Sequence, residues 1–272
     1  MTIDQLLRQA ARDALDPREA RILIAHALQW SRVQLVTRSQ EALSDTQAVT
    51  IAALFQRRLN GEPIAYITGH REFFGLNFEV SPDVLIPRPE TELLVELAIA
   101  QLPTGGKVLD LGTGSGAVSV TIAHLRQDAQ VTATDVSEAA LQIAQRNAQC
   151  HQVQVAFMRS DWYAKVDGQF DLIISNPPYI AAGDAHLSQG DLRFEPASAL
   201  TDHADGLQAL AAIITGASAH LRRDGWLLLE HGHDQAAAVR ELLQTRGWIE
   251  VQSWRDLAGI ERISGARLPV PL

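Results

Sequence analysis

Val108-Leu109-Asp110-Leu111-Gly112-Thr113-Gly114-Ser115-Gly116-Ala117 reads as a strand, a turn and the start of a helix. Residues 108–111 form a short apolar run, and helical spacing begins at Ala117. Between them, three glycines let the backbone turn sharply and approach a ligand that any Cβ would obstruct. The alternation continues downstream. Strands are predicted at 131–134, 153–158, 170–175 and 226–230, with helices at 138–148, 206–221 and 235–245. Residues 248–254 and 260–268 fit two closing strands. Short apolar runs separated by helices imply an α/β fold, a mostly parallel seven-stranded sheet that is doubly wound and covered on both faces.

Upstream, residues 1–61 read as a small helical bundle. Leu6, Leu7, Ala10, Ala11 and Ala14 keep helical spacing. Asp16-Pro17 offers an N-cap and a first-turn proline ahead of a stripe of Ile22, Leu23 and Ala27. Ser44 with Gln47 has the form of a capping box, ahead of Val49, Ala52, Ala53 and Leu54. Residues 62–89 read as a hairpin linker, with two short strands in 73–80 and breaks at Pro82, Pro87 and Pro89. The remainder, 90–272, opens with a helix near Glu90 and holds the sheet.

The whole chain has 272 residues, 46% of them hydrophobic and 20% charged, which excludes global disorder. No apolar run approaches the roughly 18–20 residues of a membrane span, and the N-terminus lacks a signal-peptide pattern. A cytoplasmic location and no membrane partner are expected. A net charge of −9 weighs against direct nucleic-acid binding, which ordinarily shows a basic footprint. The single Cys150 excludes an internal disulfide framework and reads as a lone, partly buried thiol. A monomer is expected.

The glycine loop alone is ambiguous, because Gly112, Gly114 and Ala117 also satisfy the dinucleotide fingerprint. Asp135 ends the second predicted strand, where a carboxylate can accept hydrogen bonds from both hydroxyls of a ribose. Asp110, immediately ahead of the loop, would welcome an ammonium group and repel a pyrophosphate. The tight Gly-x-Gly-x-Gly suits a small amino-acid moiety. Together these favour S-adenosyl-L-methionine over a nicotinamide or flavin.

Asn176-Pro177-Pro178-Tyr179 follows the strand at 170–175. In a sheet of order 3-2-1-4-5, this tetrapeptide and the glycine loop face each other at the switch point. The prolines fix two φ angles and leave stiff carbonyl acceptors. The Asn176 amide oxygen and the Pro177 carbonyl can each accept a hydrogen from one planar NH2 group and turn its lone pair toward a methyl donor. Tyr179 offers a face for the planar group. Neither acceptor is a strong base, so such a site works by positioning.

These two loops resemble those of amino-methyltransferases acting on planar nitrogens. Further segments narrow the resemblance to the release factor glutamine methyltransferases. They are Gly61-Glu62-Pro63-Ile64-Ala65-Tyr66-Ile67-Thr68-Gly69, Phe73-Phe74-Gly75, Ile86-Pro87-Arg88-Pro89-Glu90-Thr91-Glu92, Asp161-Trp162, Asp191-Leu192-Arg193-Phe194-Glu195-Pro196 and Glu230-His231-Gly232. The resemblance implies a Rossmann-like methyltransferase domain behind a helical substrate-recognition domain. It implies methyl transfer from S-adenosyl-L-methionine to the side-chain amide of the glutamine in the Gly-Gly-Gln motif of class 1 peptide-chain release factors. It further implies that Asp110, Gly112, Thr113, Gly114, Ser115, Gly116, Asp135, Trp162 and Asn176 contact the cofactor, and that Asn176, Pro177, Pro178 and Tyr179 hold the glutamine.

Other residues point less sharply. Arg88 and Glu90 are candidates for the border of the substrate groove, and Arg193 with Glu195 for an ion pair ordering the loop after the tetrapeptide. His231 and His233 flank Gly232, but no third ligand has a fixed spacing, so no metal is expected. A nucleic-acid adenine amino-methyltransferase would use the same tetrapeptide. The acidic charge and the absence of a long target-reading insertion weigh against it. An intact tetrapeptide weighs against a noncatalytic S-adenosylmethionine-binding module.

Overall fold

The computed structural model describes residues 1–269. The chain divides into two compact units, Met1–His70 and Arg71–Leu272.

The first unit contains the helices Ile3–Arg12, Pro17–Leu28, Arg32–Thr37, Asp45–Leu59 and Ile64–Thr68. Side-chain caps start four of them. Thr2, Ser31 and Ser44 each form a full capping box, and Asp16 accepts from the first-turn amides behind Pro17. Its core gathers Ile3, Leu6, Leu23, Ile24, Ile51, Phe55 and Ile67. The apolar faces differ in part from the sequence reading. Ile22 and Val49 are exposed at 42% and 69%, and Ala52 and Ala53 also face solvent. In alanine-rich helices the periodic contrast is weak, so the bulkier Ile24, Ile51 and Phe55 decide which side is buried. The start of the expected linker is also helical. Pro63 O accepts from the amides of Tyr66 and Ile67, and Gly69 ends the helix in the left-handed region.

β1 (His70–Phe73) and β2 (Leu76–Glu79) form a hairpin that from Arg71 on belongs to the second unit. Seven further strands form one sheet: β3 (Lys107–Leu111), β4 (Gln130–Asp135), β5 (Ala156–Arg159), β6 (Phe170–Ser175), β7 (Leu221–Glu230), β8 (Ile249–Arg255) and β9 (Glu261–Arg267). Their order is β5-β4-β3-β6-β7-β9-β8. The first five are parallel, and β9 runs antiparallel to both β7 and β8. This is the expected doubly wound, seven-stranded α/β sheet, with the switch point between β3 and β6. Residue alternation sorts the core. Val108, Leu172, Ile174 and Leu228 join one buried cluster, whereas Leu109, Ile173, Leu227 and Leu229 join the other.

Some bounds shift. β5 starts at Ala156, later than expected, and β7 starts at Leu221, earlier than expected. The polar Arg222-Arg223-Asp224-Gly225 hides the start of β7, because these residues straddle a register shift opposite Phe170 and Leu172. The helix expected near Glu90 is preceded by a 3-10 turn, Pro89–Thr91, and itself spans Glu92–Gln101. Cys150, expected to be partly buried, is exposed at the end of the helix Glu138–Cys150.

Two side chains secure the hairpin within this unit. Glu92 accepts from Phe74 N at 2.8 Å, and Asn147 accepts from Glu79 N at 2.7 Å. Asn147 Nδ2 also donates to Ser115 O at 2.9 Å, so one buried amide braces the glycine loop from behind.

Candidate active site

β3 and β6 run side by side, and their last paired residues are Leu111 and Ser175. Ser175 Oγ donates to Leu111 O at 2.7 Å, which locks the two strand ends together. The next residues are Gly112 and Asn176. The glycine loop and the tetrapeptide therefore leave the sheet as neighbours, as the strand order required.

The loop glycines Gly112, Gly114 and Gly116 have φ of 72°, 56° and 80°, the left-handed region that disfavours other residues. Gly112 N and Thr113 N both donate to Thr134 O at 2.9 Å, tying the loop to the end of β4. Asp135 continues that anchor. Its Oδ2 accepts from Gly114 N and its Oδ1 from Ser137 N, both at 2.9 Å. Each oxygen retains a further lone pair for a ligand. Asp110 is buried, accepts from Thr113 Oγ1 at 2.6 Å, and is pushed up to about 6 by burial. Burial also raises Asp135, against the opposing pull of its backbone partners.

Asp110, Gly112, Gly114, Asp135, Trp162 and Asn176 converge on one cleft, with Thr113, Ser115 and Pro178 completing its wall. Gly116, Pro177 and Tyr179 are not part of that lining. Gly116 starts the helix Ala117–Leu125, where a Cβ would lie 3.0 Å from Ala144 Cβ, so this glycine permits close helix packing. Pro177 is buried and Tyr179 half-buried, next to Asn176 and Pro178 of the lining. The Trp162 ring approaches Gly112, 3.7 Å from where a Cβ would sit.

Asn176 Nδ2 donates to Thr91 Oγ1 at 3.2 Å. That bond consumes a donor and leaves the acceptor oxygen of the amide without a partner among the described residues. The Tyr179 hydroxyl donates to Glu230 Oε1 at 3.3 Å, and Gln235 Nε2 donates to Tyr179 O at 2.9 Å. Gly206 lets the following loop close in here, since a Cβ would sit 2.4 Å from Tyr179 O.

Arg88 borders the cleft, whereas Glu90 does not. Glu195 pairs with Arg88, and the Arg193 guanidinium lies 4.9 Å over the Phe194 ring. His231 is buried, with Nδ1 donating to Gly232 O and Nε2 meeting Ser264 Oγ, both at 2.8 Å. Burial lowers its pKa, consistent with a neutral structural imidazole. Among the described residues no cluster of three or more His, Cys, Asp or Glu is arranged for a metal.

Sequence reasoning did not single out Thr91, Asn147, Glu230 or Gln235 for the site. Glu230 carried a signal, a carboxylate closing the apolar run Trp226-Leu227-Leu228-Leu229. Asn147 carried none, because its partners, Glu79 and Ser115, come from two distant segments of the chain.

Comparison with known proteins agrees with this geometry. Residues 3–69 match the PrmC N-terminal domain and residues 89–246 the methyltransferase small domain. A release factor glutamine methyltransferase of Burkholderia pseudomallei is 54% identical, covering 98% of this chain and 96% of its own. One from Bordetella pertussis is 52% identical, covering 97% and 99%. Among solved structures, a Pyrococcus furiosus methyltransferase gives a TM-score of 0.56 at 24% identity, over 79% of this chain and 98% of that one. The Thermus thermophilus 16S rRNA N2 G1207 methyltransferase, in complex with AdoMet and guanosine, gives 0.54 at 21%, over 73% and 49%. These two likenesses concern the fold. The sequence relatives go further: with more than half of its residues shared over nearly its whole length, this chain belongs to the release factor glutamine methyltransferases.

Proposed function

We propose that the protein transfers a methyl group from S-adenosyl-L-methionine to the side-chain amide nitrogen of the glutamine in the Gly-Gly-Gln motif of class 1 release factors. The observation that carries this reading is the cleft shared by the glycine loop and Asn176, with the Asn176 acceptor oxygen unengaged. The walls fit the cofactor. Asp135 keeps free lone pairs for ribose hydroxyls, Asp110 suits an ammonium group, and the Trp162 indole offers adenine a flat face. The left-handed glycines let the main chain approach the amino-acid portion.

When bound, S-adenosyl-L-methionine supplies the electrophilic sulfonium methyl. The chain supplies orientation. Asn176 Oδ1 and the Pro177 carbonyl accept the two hydrogens of the glutamine amide, and the Tyr179 ring supports its plane. Held this way, the nitrogen would be turned toward the methyl donor, and positioning of this kind can lower a barrier by up to roughly 7–11 kcal/mol. Neither acceptor is a base of useful strength, so they bind the NH2 group, and the proton released when the N–C bond replaces the S–C bond passes to solvent.

The helical unit contributes substrate recognition in this reading. It bears a groove where Arg18, Arg21 and Arg32 meet apolar Leu7, Ile22 and Val36. The protein works as a cytoplasmic monomer without direct nucleic-acid contact, and no described helix is long and apolar enough to cross a membrane.

Incubation with labelled S-adenosyl-L-methionine plus either a class 1 release factor or DNA tests the reading. Label is expected on the glutamine of the release factor. Label on DNA adenine instead would overturn the substrate assignment.

A further inference from the structure

Glu230 is 1% exposed at the end of β7, yet it is ringed by polar groups belonging to the site. Tyr179 donates to its Oε1, while Oε2 has no hydrogen-bond partner among the described residues. Burial pushes the Glu230 carboxyl up to about 7, and Thr91 beside it, itself 4% exposed, pulls the other way. Arg262 acts in the same sense and Glu90 in the opposite one. A buried carboxyl with an unmatched oxygen is unfavourable, and an apolar residue would fill such a place more comfortably.

The polarity of the hydrogen bonds gives the carboxyl a task. An Asn amide can sit in two orientations that exchange its oxygen and nitrogen. Asn176 uses Nδ2 toward Thr91 Oγ1, which leaves Oδ1 for the cleft. Thr91 Oγ1 accepts there only while its own proton is directed elsewhere, and the Glu230 carboxyl is the acceptor beside it. Without that acceptor, the Thr91 proton is free to meet Asn176 Oδ1 and turn the amide round. The same carboxyl fixes the Tyr179 hydroxyl, and with it the ring.

We propose that Glu230 is a positioning residue for methyl transfer, orienting Tyr179 directly and the Asn176 amide through Thr91. The inference rests on the tetrapeptide being the grip on the glutamine amide.

The test uses full-length protein, a class 1 release factor and S-adenosyl-L-methionine. Glu230→Leu is expected to lower kcat by about tenfold, the scale of a lost orienting contact, with cofactor Kd and release-factor KM held within about twofold. Glu230→Gln keeps an acceptor for Tyr179 and should regain at least about threefold of that loss. In a Tyr179→Phe background, Glu230→Leu should lower kcat by less than about threefold, because part of its action is already gone. Unchanged kcat in Glu230→Leu, no recovery in Glu230→Gln, or losses that multiply in the double variant would each overturn the proposal. So would a cofactor Kd that worsens in step with kcat. If Glu230→Leu does not fold, Tyr179→Phe deletes the same hydrogen bond from the other end, and unchanged kcat there overturns it equally. Asn176→Ala separates the two levels: normal turnover sinks the grip itself, whereas slow Asn176→Ala beside normal Glu230→Leu sinks only the positioning role.

Discussion

The Arg88 guanidinium is ion-paired with the Glu195 carboxylate, 107 residues later in the chain. The Glu195 side chain has no exposed surface, while Arg88 keeps 29%. The other carboxylate oxygen accepts from Ile86 N at 3.1 Å. One buried group thus fastens the segment before the helix Glu92–Gln101 to the loop after the tetrapeptide. Arg88 and Pro196, at the two ends of this link, both border the cleft. Arg88→Ala leaves a desolvated carboxylate without its cation. Because Arg88 is partly open to water, a loss of about 2–3 kcal/mol is expected, below the range of fully buried pairs. Urea unfolding with an unchanged midpoint would show the pair to be idle.

Asp135 holds Gly114 and Ser137 in place and faces the cleft. Asp135→Ala removes a charged acceptor from the ligand and a brace from the loop. Cofactor binding should weaken by about 2–5 kcal/mol. Calorimetry checks this directly, and an affinity equal to that of the wild type would remove Asp135 from the site.

Asp110 gives a pH dependence of defined sign. Burial pushes its carboxyl up to about 6, so it is largely neutral below that pH and ionised above it. A ligand ammonium favours the ionised form. Affinity should therefore be present at pH 7 and fall as pH drops through 6, to about tenfold weaker at pH 5. In Asp110→Asn that dependence should largely vanish. A wild-type Kd that is flat from pH 5 to 7 would separate Asp110 from the ligand.

The parallel sheet was legible because most of its strands are short apolar runs set off by glycine, asparagine or aspartate. Strand order then placed Gly112 beside Asn176 without any coordinate. What lay outside local pattern was the support around them. Nothing near Glu195 in the sequence points to Arg88, 107 residues away, as its partner. Asn147 looks like an ordinary helical residue until Glu79 and Ser115 are brought to it. The buried sides of the first helices differ from the periodic reading because Ile22 and Val49 have apolar neighbours on more than one face, so spacing alone does not choose the buried one.

Asn176 is the residue on which the proposed chemistry turns. Asn176→Ala removes the proposed acceptor and its anchor to Thr91, while the glycine loop and Asp135 remain. Turnover on release factor should fall by roughly 100-fold or more, near 3 kcal/mol of lost orientation. Cofactor affinity should change far less. Single-turnover kinetics at saturating cofactor measures the step, and a rate close to wild type would refute the orienting role.

The helical unit holds no glycine loop and no orienting acceptor, yet it is capped, amphipathic and compact through His70. A free glutamine would bury too little surface to bind well, whereas a protein substrate can spread contacts over about 800 Å² per partner. The chain from Arg71 onward retains the cleft, its acidic residues and the tetrapeptide. It should therefore bind S-adenosyl-L-methionine with an affinity close to that of the full chain. Its methylation of intact release factor should suffer mainly through a raised KM, because recognition is lost while the reacting groups remain. Both constants can be measured side by side on the shortened and full-length proteins, with cofactor binding as the control for folding. Equal kcat/KM on intact release factor would show that the helical unit serves another purpose.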